Sequence, residues 1–125
     1  MPPPDGMSLA QSAAMRFPQS VRVGDLIGRD VLEPVVTRRR LGTVKQVVRT
    51  ADGTAEMIVD YGGFLGFGAR PIAIPVDAMV LLGAEVEVVA FKPDDLARFP
   101  TYADAAATPL APDASLKVGL AKPSH

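Results

Sequence analysis

Between positions 25 and 91 the chain is a series of short β-branched runs broken by turn residues, and that pattern constrains its fold more than any other. "AEMIVDY" (55–61) alternates most cleanly: Met57, Val59 and Tyr61 share one face, and Glu56, Ile58 and Asp60 share the other. A period of two predicts a half-buried strand, because successive side chains leave a strand on opposite sides. "RPIAIPV" (70–76) predicts another, with Ile72, Ile74 and Val76 on one side. Its prolines have no N–H to give to a ladder, so this strand belongs at an edge or at a strand end. "LGTVKQVVRT" (41–50) is β-branched, and the Asp52-Gly53 pair after it is a strong hairpin signal. "DLIGRDVLEP" (25–34) reads as a first strand with a bulge or close backbone approach at Gly28. "DAMVLLG" and "AEVEVVAF" add two runs that turn near Gly83-Ala84. In the second run Val86, Val88 and Ala90 face one way. Glu85 and Glu87 face the other, joined there by Val89 and Phe91.

One helical signal stands out. In "KPDDLARFP" (92–100) Pro93 suits a first helical position, Asp94 and Asp95 suit the positive helix end, and Pro100 stops the helix. Leu96 and Phe99, three apart, then share a face that caps the sheet. Five or six short strands plus this terminal turn predict an all-β fold, a small barrel. The 125 residues suffice for one domain. Residues 1–20 and 103–125 are rich in Pro, Ala and Ser without sustained periodicity, so both read as flexible tails around a core at 21–102.

The connector "YGGFLGFG" (61–68) holds four glycines and two phenylalanines in eight positions. As a phosphate cradle it fails, because no Lys-Ser or Lys-Thr follows and no helix opens behind it. It reads instead as a structural corner in which Gly62, Gly63, Gly66 and Gly68 permit tight turning. Phe64, Leu65 and Phe67 either insert into the core or present an aromatic to a partner.

The net charge of −1 offers no electrostatic footprint for nucleic acid or an acidic membrane. Arg38, Arg39 and Arg40 are the only basic cluster, read as a solvated turn or, alternatively, as a grip for RNA phosphates. Asp25, Asp30, Glu33, Asp60, Asp77, Asp94 and Asp95 lack metal-ligand spacing and read as solvated or capping residues, with Asp77 capping a turn. With no cysteine and a single histidine at position 125, the usual nucleophile and base combinations are missing, so neither an enzyme nor a cofactor is expected. No apolar run approaches the ~20 residues that span a bilayer. The N-terminus lacks the basic and apolar regions of a secretory signal. The expectation is a soluble, cytoplasmic protein, or a periplasmic one if a signal has been removed.

Taken in order, "VGDLIGRDVLEP", "LGTVKQVVRTADG", "YGGFLGFGARPIAIPVDAM" and "DDLARFPTY" resemble the successive blocks of a PRC-barrel domain, from about Val21 to Tyr102. The family is similar to the cytoplasmic domain of photosynthetic reaction-centre H subunits and to the C-terminal domain of a ribosome-maturation factor. The resemblance implies a small PRC-type β-barrel used for assembly or macromolecular binding, usually without catalysis. The membrane helix of the first relative and the extra domain of the second have no counterpart here, so their specific jobs are not implied. The reading that follows is a binding module that self-associates as a homodimer and docks a protein partner. Val89 and Phe91 are its candidate self-association residues. RNA binding through Arg38–Arg40 and carriage of a small apolar ligand are the alternatives.

Overall fold

A computed structural model describes residues 18–33, 40–62, 69–103 and 107–120. Over the described residues the chain forms nine strands: β1 (Pro18–Arg22), β2 (Asp30–Leu32), β3 (Arg40–Arg49), β4 (Ala55–Tyr61), β5 (Arg70–Pro75), β6 (Met79–Leu82), β7 (Glu85–Val88), β8 (Thr108–Pro109) and β9 (Ser115–Leu120). Two short helices, α1 (Val23–Leu26) and α2 (Pro93–Ala97), and a 3₁₀ turn at Val76–Ala78 complete it. The strands make one mixed sheet in the order β1-β9-β6-β7-β2-β3-β4-β5, with β8 on the side of β3. Most neighbours are antiparallel, whereas β2–β7 and β6–β9 run parallel.

The hairpin at Asp52-Gly53 forms as its sequence requires. Thr50 donates its N–H to the Thr54 carbonyl at 2.9 Å, and Gly53 adopts φ +91°, a left-handed value that glycine tolerates best. The alternation in β5 is equally faithful, since Ile72, Ile74 and Val76 are all buried. In β4 Met57 and Val59 enter the core. Ile58 on the opposite face is fully buried too, so this strand is covered on both faces at its centre rather than half-buried.

The described part of the 25–34 run, residues 25–33, is not a single strand. Val23 and Leu26, three apart and both at 0% exposure, are spaced for a helical turn, and they form α1. Gly28, at φ +91°, ends that turn, and its N–H bonds the Val44 carbonyl at 2.8 Å. The register shift lies farther on, between Val31 and Leu32. The boundaries of the core also move. "SLKVGL" at Ser115–Leu120 pairs with β1 in antiparallel register and with β6 in parallel, and its Val118 is 1% exposed. Thr108–Pro109 pairs with β3. Thr108–Pro109 and Ser115–Leu120 are therefore strands of the sheet and not tail, and the described residues hold nine strands where five or six are expected.

Val21 of β1, Val118 of β9 and Ile72 and Ile74 of β5 all belong to one hydrophobic cluster with Leu26, Met57, Met79, Val86 and Leu96. Strands from both ends of the order feed the same core, so the sheet is strongly curled. Close packing inside the curl demands glycine at position 42, opposite Tyr61, where a Cβ would lie 1.8 Å from the Asp60 carbonyl oxygen.

Candidate docking site

Among the described strands β5 ends the sheet, and its prolines determine which of its backbone groups stay open. Asp60 faces Pro71 and Glu56 faces Pro75 across the β4–β5 ladder. Proline cannot donate, so these are the non-hydrogen-bonded pairs, and Arg70, Ile72 and Ile74 make the ladder bonds. Pro71, Ala73 and Pro75 consequently turn their carbonyls to the free edge, and Ala73 alone adds an N–H there. Pro71 is already used, because Tyr102 donates its N–H to that carbonyl at 2.7 Å.

That bond is one end of a strap formed by residues 97–103. Helix α2 starts where the sequence predicts, with Pro93 at its first turn and the Asp95 carboxylate accepting the Lys92 N–H at 3.1 Å. Leu96 is fully buried in the core, and Phe99 packs beside it. Arg70, the first residue of β5, holds the other end. Its guanidinium donates to the Phe99 carbonyl at 2.6 Å and to the Ala97 carbonyl at 2.9 Å. Its carbon centre also sits 5.6 Å over the Tyr61 ring. A cation at the last carbonyls of a short helix both satisfies them and complements their partial charge.

Between strap and sheet runs a groove of about 540 Å³. Glu56, Ala73 and Pro75 line it from the outer face of β4 and β5, and Phe91, Phe99 and Tyr102 line it from the other side. Phe91 and Phe99 meet edge to face, centroids 5.1 Å apart. Glu56 is the one charged side chain among the described residues that line the groove. Burial pushes its carboxyl above the usual range, and the Asp52 charge adds to the effect. A second, polar cleft of about 430 Å³ lies between the β3–β4 turn, the 3₁₀ turn and β9. It mixes Arg49 and Lys117 with Asp52 and Asp77.

The residues singled out by sequence meet varied outcomes. Gly62 takes φ +74°, as a glycine corner requires, and donates its N–H to the Leu41 carbonyl at 3.0 Å. Gly63, Phe64, Leu65, Gly66, Phe67 and Gly68 lie outside the described residues. Strand β7 ends at Val88 and is not the last strand, so Val89 and Phe91 do not continue its outer face. Val89 donates its N–H to the Ala78 carbonyl, and Phe91 is half-buried against Phe99. Of the basic cluster only Arg40 is described, and it is paired with Asp30 at 2.8 Å; Arg38 and Arg39 lie outside. Glu33 is buried rather than solvated. Among the described residues no three His, Cys, Asp or Glu side chains converge as a metal site. Nor is any helix among them long and apolar enough to cross a membrane.

Sequence reasoning missed Arg70 and Tyr102. Each acts through a contact roughly thirty positions away, which no local pattern reports. What the fold and groove define is a small, mostly β domain with a mixed, curled sheet and an aromatic-walled groove at one edge. No protein-family model matches the chain, and no curated protein matches it in sequence.

Proposed function

We propose that this chain is a non-enzymatic binding or assembly module of the PRC-barrel type, which self-associates and docks a protein partner. The barrel reading draws support from the curl that brings β1 and β5 into one core, and from the order of the four sequence blocks. The observation that carries the binding role is the groove beside β5, where three aromatic rings stand over an incompletely used strand edge. Apolar, aromatic-lined concavities with a few polar groups are the usual shape of a docking site. Self-association is assigned to the flank carrying Val89 and Phe91, of which Phe91 also stands on the groove wall.

The test places a photo-crosslinking amino acid at Ala103, an exposed residue on the groove rim. Irradiation of the full chain in its native cell extract is expected to give a chain–chain adduct and one discrete heterologous adduct. Irradiation that yields neither overturns the proposal, as does a sedimentation mass equal to the monomer at high micromolar concentration for its self-association half.

A further inference from the structure

Resting on the docking role just argued, we propose that the open end of the β5 edge receives an extended, apolar peptide segment of a partner protein, and that this segment carries one lysine or arginine. Three separate observations converge on that ligand.

The first is the backbone. Pro71 and Pro75 force Ala73 to present both its N–H and its carbonyl away from β4, and Pro75 adds a carbonyl farther along. An extended segment meets this spacing, because alternate residues of a strand offer one donor and one acceptor on the same side. The strap already shows the mode on a small scale. Tyr102 takes the Pro71 carbonyl from the same edge, and the groove begins where that contact stops.

The second is the wall. Phe91, Phe99 and Tyr102 rise beside the edge, so side chains pointing to that flank are desolvated against aromatic surface. Apolar side chains at alternate positions suit it.

The third is charge. Glu56 lies on the floor, directly opposite Pro75, and among the described residues no cation pairs with it. Burial raises its pKa, and the like charge of Asp52 adds to the effect. A lysine or arginine from the peptide would neutralise a carboxylate that the fold leaves with a repulsive neighbour.

The experiment titrates ¹⁵N-labelled full-length chain with two acetylated, amidated tetrapeptides, Val-Lys-Val-Leu and Val-Glu-Val-Leu, followed by amide resonances. The lysine peptide is expected to shift the Ala73 amide and to bind about tenfold more tightly than the glutamate peptide. Ala73→Pro removes the edge donor without touching the ladder, and is expected to weaken binding about fivefold, the worth of one net hydrogen bond. Glu56→Gln leaves the backbone intact and should abolish the preference for lysine, so the charge argument is tested even if Ala73→Pro does not fold. The proposal is overturned by no shift at millimolar peptide, by equal affinity for both peptides, or by unchanged binding in a folded Ala73→Pro. Failure here with the Ala103 adducts present removes the peptide and leaves the binding module; loss of both removes both.

Discussion

Phe91 and Phe99 are joined edge to face, with ring planes at 80°, although one follows the seventh strand and the other follows helix α2. The pair closes the loop that carries the strap and at the same time forms the groove wall. Replacing either ring with alanine is expected to cost about 2 kcal/mol, less than a fully buried aromatic because both are half-exposed. A double-mutant cycle should return a coupling of about 1 kcal/mol. Additive losses in denaturant unfolding would mean that the rings contribute area but no mutual contact.

Arg70 should act as a clamp on the strap. Arg70→Lys retains the charge but loses the fork that reaches the Ala97 and Phe99 carbonyls together. Hydrogen exchange is expected to accelerate several-fold across 96–102 while β3 and β4 keep their protection. Uniform acceleration would instead mark Arg70 as a global stabiliser.

Gly42→Ala is expected to be the most damaging single-methyl change, at about 3 kcal/mol or outright failure to fold, because the obstacle is backbone. Gly53→Ala meets open space and carries only the strain of its positive φ, about 1 kcal/mol. Urea midpoints of the two variants check the ranking.

Two carboxylates near the β3–β4 turn should respond to pH with opposite signs. Hydrogen bonds from Thr50 and then Thr54 hold Asp52 below the usual range. Its stabilisation is therefore present above its unfolded pKa, about 4, and is lost as pH falls through the folded value. The deficit of Asp52→Ala should shrink as the solution is acidified. Glu56 is raised, so its contribution is complete below its unfolded pKa and is lost as pH rises through the folded value. Glu56→Gln should then have a higher Tm than the wild type near pH 7 and an equal one near pH 3, as measured by thermal scans.

Truncation after residue 106 should abolish cooperative unfolding, because β9 supplies Val118 to the core and bridges β1 to β6. The milder Val118→Ala is expected to cost about 2 kcal/mol. A truncated chain that still melts cooperatively would return 107–125 to the status of a tail.

Much of the local architecture was legible without coordinates. The alternation of β4 and β5, the Asp52-Gly53 turn, the Pro93 helix start and the turn at Gly83 each follow from physics acting within a few residues. Pro71 and Pro75 narrowed β5 to an edge or a strand end, since each lacks a ladder donor, and the pairing with β4 alone makes it the edge. What the sequence alone did not reveal depends on partners distant along the chain. "SLKVGL" is too short and too near prolines and alanines to announce a strand, and it becomes one because β1 and β6 offer it two edges. "VGDL" winds into a helical turn because the curled core needs both Val23 and Leu26. The groove itself exists only after folding: Ala73 is aimed outward by β4, Phe91 and Phe99 meet from different elements, and Arg70 reaches the strap across 27 and 29 positions. Sequence determined the strands of the central run and the restriction of β5 to an edge or a strand end, because those are properties of single residues and their neighbours. Tertiary structure alone decided which polar groups and rings face a common space, because that depends on how distant strands pair.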